Sequence, residues 1–272
     1  MRRTVGRSVE RRGPGVWSGR QVTVRLEAAE AGHGLRVRRE DCGVAIPLEV
    51  SAVHETENCT VVGEPPHVVS ATEHLLSALS AFGVTDVLVV LDGPEVPLFD
   101  GSAVVFAEML EEARVVKLAS GMEPIRLAQP LLVAEANRAI LALPADEPAF
   151  GYVLDYDHPL IGRQFALHKP ASDDYVTGLA PARTFVTEEQ ARTLLRAGEL
   201  KSGSEANAIV VYADRLSAEP RLEQEFARHK ILDMMGDLYL LGRPLLAHVI
   251  GYRTGHTENH ALARHIADSL LA

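Results

Sequence analysis

The sequence predicts an α+β protein built from two similar domains. Three observations carry that reading. The chain has 272 residues, and at ~150 residues per domain that is one large domain or two small ones, each able to bury a core. Strand-like alternation followed by helical periodicity occurs twice along the chain. The halves also echo each other. Glu73-His74-Leu75-Leu76 opens a helix that runs into a strand and then Asp100-Gly101-Ser102, while Arg228-His229-Lys230-Ile231-Leu232 lies in a helix that runs into a strand and then Thr254-Gly255-His256. The histidines are 155 residues apart and the loop glycines 154. An internal duplication of a strands-then-two-helices unit accounts for that spacing, and chance similarity of two amphipathic helices accounts for it nearly as well.

In the first half, Gln21 to Glu27 alternates apolar and polar residues, the mark of a half-buried strand, and Leu35 to Arg39 repeats the pattern more weakly. Ser70 to Phe82 reads as a helix. Val87 to Leu91 reads as a buried strand closed by the turn Asp92-Gly93-Pro94. Ala103 to Val116 is a second helical stretch, with Phe106, Met109 and Leu110 at helical spacing. The pattern lapses through Ser120-Gly121-Met122-Glu123-Pro124, which sets the domain boundary and divides the chain into 1–121 and 122–272.

The second half opens with strands at Ile125 to Leu127, Leu131 to Ala134, Ala139 to Leu143 and Tyr152 to Tyr156. A short helix at Thr187 to Ala197 and a strand at Ala208 to Tyr212 follow. A long helix then spans Leu222 to Leu241, Leu246 to Tyr252 is a strand, and His260 to Leu271 is helical.

Composition narrows the function. Hydrophobic residues at 47% and charged residues at 24% are an ordinary globular balance. A formal charge of −10 repels phosphate backbones, and aromatics at 5% are too sparse for a single-strand stacking platform, so nucleic acid is not expected as a partner. The two cysteines, Cys42 and Cys59, cannot build a disulfide framework or a Cys-rich zinc site, and they suit a reducing cytoplasm. The basic start through Arg12 has no apolar stretch behind it, and the apolar region Leu238 to Ile250 is broken by Arg243 and Pro244. No secretory signal and no transmembrane segment is therefore expected. With no coiled-coil or extended apolar face in view, a monomer is expected.

Most of the eleven histidines stand alone: His33, His54, His67, His158, His168, His248, His260 and His265 read as solvated or hydrogen-bonded side chains. The long helix is denser in chemistry. At ~100° per residue, His229, Asp233 and Asp237 fall within about 80° of each other, with Ile231, Leu232, Met235, Leu238 and Tyr239 opposite. A His and an Asp at i, i+4 can reach one zinc ion, and the same stripe reads equally as a solvated face with an ion pair. Lys230 is a phosphate contact or a surface charge. Ser70-Ala71-Thr72-Glu73 fits a capping box, in which Glu73 closes a helix and does no chemistry. The alternative for Glu73 is a general base beside a metal-binding His74. Gly255-His256 follows a strand, a position that suits an acid or base and equally a water-satisfied loop histidine. The Thr184 hydroxyl can face an oxyanion. No Gly-rich phosphate loop, nucleophile elbow or Cys-x-x-Cys pair is present.

Taken together these segments resemble the UDP-3-O-acyl-N-acetylglucosamine deacetylases, zinc amidases of lipid A synthesis, over nearly the whole chain. The anchors are Ala71-Thr72-Glu73-His74-Leu75-Leu76-Ser77-Ala78-Leu79, Pro94 to Ala103, Ala182-Arg183-Thr184-Phe185, Asn207-Ala208-Ile209-Val210, Glu225 to Asp233 with Gly236-Asp237, and Gly255-His256. The resemblance implies an active site between two α+β domains, with His74, His229 and Asp233 as zinc ligands. The same ligands also accept iron(II). It further implies Glu73 as general base and Thr184 as oxyanion partner. His256 then protonates the leaving amine, held and charged by Asp237. Lys230 and Phe185 match positions that contact the UDP-sugar substrate. An insert at Thr187 to Ser204 would bind the acyl chain, with Leu194, Leu195 and Leu200 lining it.

The chain departs from the family pattern in places. Gly13-Pro14-Gly15-Val16-Trp17-Ser18-Gly19 carries Trp17 where the family usually has histidine, Ala206 stands where an aspartate is frequent, and Thr257-Glu258-Asn259 is more acidic than usual. These departures touch none of the implied ligands, base or acid. Two other readings stand beside the first: a zinc amidase acting on an unacylated or different nucleotide sugar, and a catalytically decayed metal-binding relative. The last would be expected to lose Glu73 or His256 first, and both are present.

Overall fold

In the computed structural model, residues 1–54 and 58–270 are described. Five strands open the chain: β1 (Arg3–Val5), β2 (Val9–Pro14), β3 (Gln21–Ala28), β4 (Leu35–Arg39) and β5 (Val44–Pro47). A single 3-10 turn (Val50–Ala52) leads into the small sheet of β6 (Val53–His54), β7 (Val61–Glu64) and β8 (His67–Val69). Helix α1 (Glu73–Phe82), β9 (Val87–Leu91), α2 (Val104–Ala113) and β10 (Val115–Lys117) complete the first half.

The second half runs β11 (Ile125–Arg126), β12 (Leu131–Glu135), β13 (Arg138–Pro144), β14 (Ala149–Asp155) and β15 (Arg163–His168). It continues through α3 (Tyr175–Gly178), β16 (Phe185–Thr187), α4 (Glu188–Ala197), β17 (Ile209–Val211), α5 (Glu225–Tyr239), β18 (Leu245–Tyr252) and α6 (His256–Ser269).

The duplication is visible in the topology. The first main sheet has the order β2-β3-β9-β4-β5, and β4 and β9 are its parallel pair, with Val37 opposite Val89. The second has the order β12-β13-β18-β14-β15, and β14 and β18 are parallel, with Gly151 opposite Ile250. Each parallel pair is flanked by antiparallel neighbours. In each half a helix, a strand and a second helix follow in that order, α1-β9-α2 and α5-β18-α6. The fold is therefore mixed α and β with two like-ordered sheets, as the sequence predicts.

The helices meet in the middle. α1 packs on α5, and α5 also packs on α6, β14 and β15. One continuous apolar core runs through both sheets and includes Leu26, Leu76, Phe106, Ile140, Ile231 and Leu262. The α1–α5 contact is tight at Gly236, where a Cβ would collide with the backbone carbonyl of Glu73. Only glycine lets the two helices approach this far.

Several expectations are corrected. The helix expected over Ala103 to Val116 stops at Ala113, because Arg114 turns into the left-handed region (φ 55°) and frees the chain to pair as β10. The last helix begins at His256, not His260, and Gly255 is its N-cap. The proposed helical end at Leu271 lies outside the described residues. Ser70 and Glu73 make no capping box. Ala71 adopts φ 60°, so the chain enters α1 at a sharp corner, and Thr72 makes no side-chain cap hydrogen bond. A capping box does form at α4, where Thr187 and Gln190 satisfy each other's backbone amides.

Candidate metal centre

The α1–α5 contact presents His74 and His229 to each other, and their rings meet edge to face at 5.0 Å. Asp233, one turn beyond His229, completes the group: its Oδ1 lies 3.5 Å from His74 Nε2 and 3.3 Å from His229 Nε2. All three side chains are buried. The solvated-stripe alternative is thereby excluded, since α5 is buried on nearly every side. One ligand atom from each residue falls within 4.8 Å of the others, the geometry of a shared cation.

The donor chemistry also fits a metal. His229 Nδ1 donates to the Ala182 carbonyl at 3.1 Å, which leaves Nε2 with its lone pair facing the cluster. Burial pushes the His229 imidazole down to about 3, so it is neutral as a ligand must be. Asp233 Oδ2 accepts from Lys230 Nζ at 2.9 Å, whereas Asp233 Oδ1 and His74 Nδ1 are buried with no hydrogen-bond partner among the described residues. Burial alone would raise the Asp233 carboxyl; the Lys230 ammonium beside it works against that, and Asp233 lies well below the usual range. An ionised, buried oxygen without a donor is costly unless a cation sits against it.

Beside this cluster lies a second one. Glu73, buried at the start of α1, accepts from the backbone N–H of Thr60 at 3.0 Å. Burial raises its carboxyl pKa, opposed in part by His256 and His74. Asp237, a further turn along α5, is fully buried. It accepts from His256 Nδ1 at 2.8 Å and from Asn259 Nδ2 at 2.8 Å. Burial would lower the His256 pKa, but the Asp237 carboxylate reverses the sign and carries the imidazole up to about 9.

Phe185 lies on the other side. Its ring packs at a tilt against Phe226, centroids 4.6 Å apart, and faces the Lys230 ammonium at 5.9 Å. Lys230 is thus neither a free surface charge nor remote from the cluster. Thr184 is half-buried, with its backbone N–H on Gly101 at 2.7 Å, two residues from the carbonyl that orients His229. That stretch is anchored by Arg183, whose backbone N–H and guanidinium donate to Glu225 at 3.0 and 2.9 Å.

Trp17 is half-buried against the Cys59, Val61 and Ala71 cluster, and its backbone N–H is held by the buried Glu95 carboxylate at 3.0 Å. In the segment 187–204, α4 has no buried residue, and Leu195 is 53% exposed.

Sequence reasoning missed three members of the second cluster. Thr60 carries no pattern. His260, read as solvated or hydrogen-bonded, is the latter: it is 2% exposed, with Nε2 at 3.0 Å from the Thr60 hydroxyl. Asn259 joins it on Asp237. The signal that was available is the i, i+4 spacing of His256 and His260, which shares a face once the helix is started at His256.

The family model for LpxC, UDP-3-O-acyl N-acetylglycosamine deacetylase, matches residues 2–268. A UDP-3-O-acyl-N-acetylglucosamine deacetylase of Nautilia profundicola is 35% identical over 97% of this chain and 91% of its own. One from Campylobacter fetus is 36% identical over 95% of this chain and 89% of its own. One from Leptospira biflexa is 36% identical over 97% of this chain and 88% of its own.

Proposed function

We propose, since the chain belongs to the UDP-3-O-acyl N-acetylglycosamine deacetylase family, that it hydrolyses the N-acetyl amide of UDP-3-O-acyl-N-acetylglucosamine in lipid A synthesis. Water adds to the acetyl carbon, the C–N bond breaks, and acetate and the free sugar amine leave. The carrying observation is the convergence of His74, His229 and Asp233 Oδ1, with an unpartnered buried oxygen, next to an acid–base pair.

His74, His229 and Asp233 would hold zinc, whose Lewis acidity polarises the amide carbonyl. Glu73, with its carboxyl raised by burial, takes the proton from the attacking water. The Thr184 hydroxyl donates to the carbonyl oxygen as charge builds there. His256, protonated up to about 9, hands its proton to the departing nitrogen, while Asp237 fixes the ring and its charge. Lys230, bonded to Asp233, and Phe185, whose ring faces the Lys230 ammonium, hold the UDP-sugar by charge and by an aromatic face.

The reading brings with it two domains, 1–121 and 122–272, a division supported by the repeated strand order of the two main sheets. It also places the acyl chain against the 187–204 insert through Leu194, Leu195 and Leu200. A monomeric chain acting in the cytoplasm completes the proposal. Among the described residues Cys42 and Cys59 are not joined in a disulfide, which is compatible with that compartment. Among the described residues no helix is long and apolar enough to cross a membrane.

The test is acetate release from UDP-3-O-acyl-N-acetylglucosamine by zinc-loaded protein, with unacylated UDP-N-acetylglucosamine alongside. Turnover of the acylated compound supports the reading. Preference for the unacylated sugar moves the enzyme to another substrate, and no turnover of either, with metal bound, overturns the assignment.

A further inference from the structure

Thr60 touches both halves of the acid–base machinery. It lies in the connection between β6 and β7 and has no exposed surface. Its backbone N–H donates to Glu73 Oε2 at 3.0 Å, and its hydroxyl donates to Asp237 Oδ1. A hydroxyl has one proton. With that proton on Asp237, the Thr60 oxygen meets His260 Nε2, 3.0 Å away, only as an acceptor. His260 therefore carries its proton on Nε2 and donates it forward. The chain of hydrogen bonds runs from His260 to Thr60 to Asp237 Oδ1, while Asp237 Oδ2 holds His256 Nδ1 and Asn259 Nδ2.

We propose that Thr60, backed by His260, is a positioning residue that sets the geometry of general base and general acid relative to each other. The proposal rests on the deacetylase reading above. Without the Thr60 hydroxyl, Asp237 Oδ1 keeps only a 3.4 Å approach from His260 Nε2. The carboxylate is then free to turn, and with it the His256 ring. Removing a donor from a buried carboxylate leaves part of its charge unmet. The groups facing His256 and Asp237 are Glu73 on α1, Asp233 on α5, Asn259 and His260 on α6, and Thr60 itself. Thr60 differs from these in belonging to neither helix pair. It ties α1 to α5 and α6 from the small β6-β7-β8 sheet.

The experiment compares Thr60→Val, Thr60→Ser, His260→Leu and His260→Gln with the zinc-loaded wild type, following acetate release across pH. Thr60→Val keeps the shape and the backbone amide and loses only the hydroxyl. It is expected to lower kcat about 10- to 100-fold, the scale of a lost hydrogen bond to a charged group, while KM stays within about two-fold. Its alkaline limb moves to higher pH, because Asp237, short of one donor, sets more unmet charge against the His256 imidazolium. Thr60→Ser restores kcat to within about three-fold of wild type. His260→Gln, which keeps an N–H donor, retains more activity than His260→Leu, and this pair carries the test if Thr60→Val does not fold. Wild-type kcat and pH profile in Thr60→Val, or equal impairment in Thr60→Ser, overturns the proposal. If the wild type itself releases no acetate, the deacetylase reading fails separately. Nitrogen NMR titration of His256 then decides the proposal: an unchanged or lowered His256 pKa in Thr60→Val overturns it, and a raised one supports it.

Discussion

Gly236 on α5 lies directly against the backbone of Glu73 on α1, so that even a methyl group at Gly236 would overlap the Glu73 carbonyl. The contact sets the spacing of the two helices that bring His74 to His229. It also sets the entry of Glu73 into the site. Gly236→Ala must push the helices apart, and overpacking of this kind costs about 1–3 kcal/mol. The expected outcome is a lowered melting temperature together with weakened metal binding and lost turnover. Wild-type metal affinity in a folded Gly236→Ala protein would contradict it.

Glu73 and the metal ligands separate in their effects. Glu73→Gln keeps the volume and the hydrogen bond from Thr60 but cannot take a proton. Turnover is expected to fall about 10²- to 10⁴-fold with the metal still bound at one ion per chain. His74→Ala and His229→Ala are expected to lose the ion itself. Metal analysis after gel filtration, alongside acetate release, distinguishes the two classes. Stripping the wild type with a chelator should also lower its melting temperature, because an ion that binds only the folded site stabilises it, and because Asp233 Oδ1 is left buried without a partner.

The pH dependence follows from His256. Its folded-state pKa stands at about 9, above the ordinary histidine value near ~6.5. Below ~6.5 both folded and unfolded chains bind the proton, and the whole stabilisation from the His256–Asp237 pair is present. As pH rises toward about 9, the unfolded chain has released its proton while the folded one holds it, so the stabilisation drains away. Activity that needs the imidazolium falls through the same range. Asp237→Asn removes the charge that raises His256, so its alkaline limb should appear at lower pH than in the wild type. A kcat/KM profile whose alkaline limb is unmoved in Asp237→Asn would refute the pairing.

Much of this architecture is legible in the sequence, for physical reasons. The His74/His229 and Gly101/Gly255 spacings point to a repeat, and the two main sheets do share one strand order. The His-Asp-Asp stripe was legible because helical periodicity alone puts three turns in line. Its burial was not legible, since α5 is covered by α1, which no local pattern on α5 reports. Glu73 misled in the opposite direction. Ser-x-x-Glu satisfies the local rule for a cap, but the left-handed turn at Ala71 carries the carboxylate to Thr60 instead. Thr60 itself is 177 residues from Asp237, and a hydroxyl at that separation leaves no periodic trace.

The last prediction concerns the anchor behind Thr184. Arg183 and Glu225 are both buried and joined at 2.9 Å, and Glu225 also accepts from the backbone N–H groups of Arg183 and Arg221. The pair joins the start of α5 to the stretch whose Ala182 carbonyl orients His229. Removing one member strands the other as a buried charge, at a cost of about 3–5 kcal/mol. Arg183→Ala should therefore melt well below the wild type and bind metal more weakly, although Arg183 is not among the proposed ligands. Lysine should not rescue it, because the guanidinium also donates to the Glu219 carbonyl at 2.7 Å while Nε stays on Glu225, a fork that a single ammonium cannot reproduce. A thermal melt and a zinc titration of Arg183→Ala and Arg183→Lys check this, and wild-type behaviour of the lysine variant would show that charge alone suffices there.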